Sequence, residues 1–226
     1  MNSTPQTEEQ AMVRKVAVSS FLGNFIEWFD YASYSYFATT IALVFFPTDN
    51  HTVAMLQTFG VFALSFILRP IGALFWGSYG DKKGRKAALA HSIMFMSGAS
   101  FLIGCLPSYS VIGVGAPILL LLLRMVQGFS ASGEYAGAAT FLGEYAPTSK
   151  RGIYCSLIPA STAIGLLAGS TLATLMTANM NSSAMVGWGW RVPFLLAGPL
   201  GLIVLYIRAK LADSPVYQSM NDALES

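Results

Sequence analysis

Charge is what this chain has least of. Asp, Glu, Lys and Arg make up 11% of its 226 residues, against roughly 25% in an ordinary globular domain. With 54% hydrophobic residues and a mean hydropathy of +0.55, it lacks the polar side chains to cover a water-soluble surface. Cysteine is nearly absent. Cys105 and Cys155 are too few for a disulfide framework or a zinc site. His51 and His91, the two histidines, lie far apart in sequence, and no nucleophile–base pairing accompanies them, which argues against a membrane-embedded enzyme. A net charge of +2, with aromatics set in apolar runs, argues against nucleic acid as a partner. The opening residues carry Glu8 and Glu9 in place of a basic signal-peptide head, so the first apolar segment is expected to stay in the protein.

What is present is a series of long apolar runs. The composition predicts an all-α integral membrane protein whose immediate partner is the lipid bilayer, because helices let an open chain cross lipid with its backbone satisfied. Runs near the required ~20 residues fall at about 16–40, 53–76, 87–106, 116–140, 153–176 and 191–209. Pro, Gly, Asn and Asp punctuate the gaps. The expected organisation is a tail over 1–15, a bundle of six transmembrane helices over 16–209, and the start of a loop over 210–226. Lys and Arg collect in alternate gaps: Arg14 and Lys15; Lys82, Lys83, Arg85 and Lys86; Lys150 and Arg151; Arg208 and Lys210. The opposite gaps offer Arg191. The positive-inside rule then places both ends in the cytoplasm, with Cys105 near the outer surface and Cys155 near the inner one.

Five ionisable residues fall inside these spans: Glu27, Asp30, Arg69, Arg124 and Glu134. Charge at bilayer depth is costly and usually faces a bundle interior or a wet cavity. At about 1.5 Å per residue, Glu27 lies roughly 16 Å from the inner surface and Arg124 roughly 18 Å. A contact between Glu27 or Asp30 and Arg124 is therefore within reach. Two readings stand: static pairs that fix helix register, or a carboxylate that takes up and releases a proton as its partner or access changes. Glu134, nearer the inner end of its span, has snorkelling to the interface as a structural alternative. Arg69, before Pro70, reads as an anchor near the cytoplasmic end. Glu27, Tyr31 and Tyr34 share one helix face suited to a cation, or to ordinary packing. Gly133-x-x-x-Gly137 and Gly165-x-x-x-Gly169 permit close helix approach.

The gap between the second and third spans reads Gly77-Ser-Tyr-Gly-Asp81-Lys-Lys-Gly84-Arg85-Lys86. It resembles the G-x-x-x-D-x-x-G-R-R/K signature of the major facilitator superfamily, in the loop where that family carries it. Arg124-x-x-Gln127-Gly128 is similar to the family's second motif. Gly23-Asn24-Phe-Ile-Glu27-Trp28-Phe-Asp30, Leu68-Arg69-Pro70-Ile-Gly72, Gly133-Glu134-Tyr135, Glu144-Tyr145-Ala-Pro147 and Trp188-Gly-Trp190-Arg191-Val-Pro193-Phe194 resemble the metabolite:proton symporter branch. That branch includes carriers of proline and glycine betaine, α-ketoglutarate, citrate and shikimate.

The resemblance implies the N-terminal bundle of a major facilitator fold in a bacterial inner membrane, a multi-pass protein driven by the proton gradient without a cofactor. It implies a small-molecule substrate and a proton as ligands. Glu27, Asp30, Arg124 and Glu134 would serve proton coupling and the cavity. Tyr31, Tyr34 and Gln127 would line the substrate cavity. Gly77, Asp81, Gly84, Arg85, Glu144 and Arg151 would form the cytoplasmic gate. The expected substrate is zwitterionic, such as proline or betaine, with α-ketoglutarate or another di- or tricarboxylate as the alternative. The family has twelve spans and this chain six, so the expected partner is a C-terminal six-helix half or a second half-transporter. A non-transporting six-helix interaction or sensor module is the other expectation.

Overall fold

Proline, glycine and asparagine cut the apolar runs into helices. The computed structural model describes residues 5–211, and residues 212–226, expected to open a loop, lie outside the described residues with 1–4. The helices are α1 (Pro5–Tyr36), α2 (Ala38–Phe45), α3 (His51–Ile67), α4 (Arg69–Lys83), α5 (Arg85–Cys105), α6 (Tyr109–Ile112), α7 (Gly115–Ala131), α8 (Glu134–Tyr145), α9 (Arg151–Cys155), α10 (Leu157–Asn179), α11 (Ser182–Gly187) and α12 (Val192–Ala209). Several are halves of one arm. Pro70 sits in the first turn of α4, where its ring restrains the preceding residue and its missing N–H goes unneeded. The α3–α4 arm therefore breaks at Leu68. Asn50 starts α3 by accepting from Thr52 N at 3.0 Å and Val53 N at 3.3 Å, the usual N-cap arrangement. Gly84, with φ of 95°, turns the chain from α4 into α5 in a backbone region that favours glycine.

Among the described residues, five helical stretches are long and apolar enough to cross a membrane: His51–Lys83, Arg85–Cys105, Gly115–Tyr145, Thr148–Asn179 and Gly189–Ala209. The sixth expected crossing is the α1–α2 arm. At 32 residues, α1 is about 48 Å long, ample for a hydrocarbon core of about 30 Å. It falls short only in apolarity, because Ser19, Ser20, Asn24, Glu27, Asp30 and Ser33 are buried along it. The first helix starts at Pro5, so residues 5–15, expected as a tail, continue the helix.

The bundle is organised around α1, which packs on α10, α12 and α8, while α5 packs on α12 and α7, α3 on α7, and α4 on α5 and α7. Small residues set the closest contacts. A Cβ at Gly165 would lie 2.8 Å from Phe25 O, and one at Gly169 would lie 2.6 Å from Ala32 Cβ, so α10 runs directly against the backbone of α1. Gly133 and Gly137 face Trp76 and Leu89 instead. Asn24 Nδ2 fastens the α1–α10 seam by donating to Ile158 O at 3.0 Å and to Ser161 Oγ and Thr162 Oγ1 at 2.8 Å each. Apolar clusters fill both ends. Tyr34, Phe45, Ile103, Leu120, Trp190 and Phe194 occupy one, and Val16, Leu89, Phe141, Leu142 and Ile158 the other. Leu56, Leu74, Leu167 and Leu202 are exposed on the outside, as a lipid-facing surface requires.

Candidate functional site

Three ion pairs lie within the bundle, and two of them involve α1. The first joins α1 to α7. Arg124 Nη1 donates to Asp30 Oδ2 at 2.6 Å and to Gln127 Oε1 at 2.8 Å. Gln127 Nε2 donates to Asp30 Oδ1 at 3.1 Å and also to Ser100 Oγ, while Ser100 Oγ donates to Asp30 Oδ1 at 2.9 Å. Arg124 and Gln127, three residues apart, share a helix face, which is how one helix supplies both donors. The guanidinium of Arg124 lies 3.8 Å from the centroid of the Tyr34 ring, a cation–π contact. The Tyr34 hydroxyl donates to Thr58 O at 2.9 Å. The aromatic face of α1 does hold a cation, and it is the protein's own. Both Asp30 oxygens are satisfied and Arg124 has no exposure, so this cluster is shut off from solvent, although Nε and Nη2 of Arg124 have no hydrogen-bond partner.

The second pair joins α1 to α4 and differs from the sequence expectation. Arg69 sits at the break in the α3–α4 arm, not at its cytoplasmic end, and its Nη2 lies 2.5 Å from Glu27 Oε1. The same nitrogen donates to the Tyr31 hydroxyl. Its guanidinium carbon is 5.1 Å from the Tyr31 ring centroid and 4.7 Å from that of Phe66. Depth alone allowed Glu27 to meet Arg124, but the rotation of α1 turns it to Arg69. This pair is open on one side: the Arg69 side chain is 27% exposed, and Glu27 Oε2 and Arg69 Nε have no hydrogen-bond partner.

The third pair joins α8 to α12. Glu134 does not snorkel to an interface. It is buried against Arg208, which donates to both of its carboxylate oxygens, to Leu89 O at 2.5 Å and to Ser19 O at 3.3 Å. Ser92 Oγ donates to Glu134 Oε2 at 3.3 Å. Arg208, expected among surface lysines and arginines, is thus internal, because four helices converge where its guanidinium can reach their acceptors. Gly23 leaves the room: a Cβ there would run into the Glu134–Arg208 pair.

The residues expected at a cytoplasmic gate lie apart from these pairs. Asp81 Oδ1 and Arg85 Nη2 form a 2.9 Å ion pair across the α4–α5 turn at Gly84, with Asp81 largely exposed. Gly77 has open space beside it. Glu144 ends up with a buried Oε2 that lacks a partner, Arg151 opens α9 exposed, and no ion pair joins the two among the described residues. Cys105 and Cys155 are free thiols. An apolar groove of about 600 Å³ between α4, α5 and α7, lined by Phe75, Trp76, Tyr79, Phe95 and Phe129, holds none of the ion-paired side chains. Sequence reasoning missed Ser100 and Arg208 as partners and misread Arg69. An arginine beside a proline within an apolar run was the available signal for the last; Ser100 gave none.

Long apolar helices that bury arginines against carboxylates, with polar side chains concentrated on a central helix, define a multi-pass membrane protein. The chain belongs to the sugar (and other) transporter family, whose model matches residues 15–226, within the major facilitator superfamily. It is 42% identical over 217 residues to the proline/betaine transporter of Salmonella typhimurium, an alignment covering 96% of this chain and 43% of the relative. The same figures hold for the glycine betaine/proline/ectoine/pipecolic acid transporter OusA of Dickeya dadantii. The chain thus spans less than half the length of these relatives. Among solved structures, it superposes on the xylose transporter XylE from E. coli in a partially occluded, inward-open conformation with a TM-score of 0.83. Identity there is 17%, over 93% of this chain and 52% of that one. The likeness carries the fold: this is a six-helix bundle of the major facilitator type. Family membership points to transport and not to enzymatic catalysis.

Proposed function

We propose that the chain is the N-terminal half of a proton-coupled symporter for a small zwitterionic metabolite such as proline or betaine. It works by alternating access against a second six-helix bundle, in a bacterial inner membrane, with both ends cytoplasmic. The proton gradient supplies the energy and no cofactor takes part. The observation that carries this reading is the pair of carboxylates on α1, Glu27 and Asp30, each held by an arginine from another helix. Family and relatives support transport, and the names of the relatives support the substrate class.

The two carboxylates are not equivalent. Asp30 is saturated by Arg124, Gln127 and Ser100. Glu27 has one bare oxygen and one partially exposed partner, so Glu27 is the exchanging proton site and Asp30 with Arg124 the fixed one. Glu134 braces the bundle. Gly77, Asp81, Gly84 and Arg85, with Glu144 and Arg151, form the cytoplasmic gate. A proton-dependent uptake assay of labelled proline, betaine and α-ketoglutarate, in cells lacking their own carriers, tests the reading. The chain is expressed with a second six-helix bundle and by itself. Uptake with the second bundle, abolished by an uncoupler, is expected; no uptake in either form refutes transport.

A preference for α-ketoglutarate over betaine would shift the substrate class to a dicarboxylate.

A further inference from the structure

Two guanidiniums lie beside the α1 carboxylates, and both have N–H groups without a partner, Nε and Nη2 on Arg124 and Nε on Arg69, but only the Arg69 side chain is partly open. Arg124 is enclosed, with Asp30 and Gln127 on one nitrogen and Tyr34 across its face. A substrate anion reaching it would have to unpack that cluster. Arg69 holds Glu27 and Tyr31 through Nη2 alone, its Nε is unpartnered, and about a quarter of its side chain is open. Tyr31 and Phe66 lie against the guanidinium and hold its plane in place whether or not Glu27 stays bound.

Resting on the symport reading above, we infer that Arg69 is the anchor for the substrate's carboxylate and that Glu27 is the group the substrate replaces. A proton joins Glu27, which then releases Nη2. The substrate carboxylate takes the freed edge through Nε and Nη2, the two-bond geometry that guanidinium offers a carboxylate. The charges balance: Arg69 with ionised Glu27 is neutral, and so is Arg69 with protonated Glu27 and one carboxylate. One proton is thereby linked to one carboxylate, because a single guanidinium edge serves either acid but not both. The charged surroundings of Glu27 are otherwise spoken for. Asp30 is held by Arg124 of α7, and Glu134 of α8 by Arg208 of α12. Tyr31 stays on Arg69, α5 meets these carboxylates with Ser92 and Ser100, and α10 has no ionisable residue facing α1.

The test is binding-linked proton uptake by the transport-competent protein in lipid, followed with a pH indicator. Glycine betaine is compared with choline, a similar cation without the carboxylate. In the wild type, betaine is expected to draw a proton from solution and choline none. Glu27→Gln should bind betaine without proton uptake and lose accumulation against a gradient. Arg69→Lys, which keeps the charge but not the planar edge, should weaken betaine by about tenfold or more and leave choline unchanged. Equal proton uptake with choline, or betaine affinity untouched in Arg69→Lys, overturns the inference while leaving symport standing. No proton-linked uptake of any carboxylate by the wild type overturns the symport reading, and this inference with it.

Discussion

Removing Arg208 is the sharpest probe of how the bundle tolerates charge. Its guanidinium contacts both oxygens of Glu134 together with Leu89 O and Ser19 O, and both side chains of the pair are 1% exposed. In Arg208→Ala the two carbonyls keep their helical partners, but the Glu134 carboxylate keeps only Ser92, at 3.3 Å. Breaking a buried pair from one side costs about 3–5 kcal/mol, which is roughly two to four orders of magnitude in the folded-to-unfolded ratio. Replacing both partners with apolar residues, Glu134→Leu with Arg208→Met, removes the stranded charge. It should recover most of the loss, since a buried pair and a well-packed apolar substitute are often close in stability. Reversible unfolding of the chain in lipid nanodiscs or mild detergent, followed by circular dichroism, measures all three variants against wild type. An Arg208→Ala chain as stable as wild type would refute the assignment of a buried, charged pair. A double variant no better than the single would show that shape, not charge, is what Arg208 contributes.

Three further outcomes follow from the geometry. Gly169→Val should destabilise by about 1–3 kcal/mol, since the added carbon meets Ala32 and Phe29 across the α1–α10 seam. Gly98→Ala, with nothing within 4 Å, should be neutral or stabilising by up to about 1 kcal/mol; the same unfolding assay compares them, and equal effects would undo the account of the seam. Asp81→Asn should leave stability nearly unchanged, because an exposed ion pair contributes about 0–1 kcal/mol, yet slow transport if the α4–α5 turn gates the cavity. An unchanged uptake rate would remove Asp81 from the gate. Membrane-impermeant maleimide on intact cells or spheroplasts should label Cys105 at once and Cys155 only after permeabilisation, and the reverse order would invert the proposed orientation.

The polarity of α1 makes physical sense once its surroundings are known. A helix carrying Asn24, Glu27 and Asp30 is poorly suited to face lipid, where each unpaired charge costs several kcal/mol by most scales. In the bundle each of them has a partner: Asn24 donates to Ser161 and Thr162 on one side, while Arg69 pairs with Glu27 on another and Arg124 with Asp30 on a third. The other arms supply the apolar exterior and shield α1 from the bilayer. This is why α1 alone among the long arms fails a hydropathy criterion while sitting deepest in the fold.

The amino-acid sequence by itself determined the class of molecule and its segmentation. Scarce charge, apolar runs near membrane length and breaks at Pro70, Gly84 and Asn50 are compositional or local properties, and local chemistry decides where helices start and stop. The family motifs were likewise contiguous, and Glu27 and Asp30 stood out as charges among apolar neighbours. Which arginine each carboxylate meets was decided only by tertiary structure. Glu27 and Asp30 are three residues apart, about 4.5 Å along the axis and roughly 60° around it, and a depth estimate treats them as interchangeable. The Gly165 and Gly169 contacts and the Asn24 hydrogen bonds set the rotation of α1 against α10. That rotation sends Asp30 to α7 and Glu27 to α4. Arg208 reaches Glu134 because α12 crosses α1 and α5 at the level where Gly23 has no side chain. Helix rotation and relative height arise from packing between segments far apart in the chain, so the partners of a buried charge are a property of the assembled bundle.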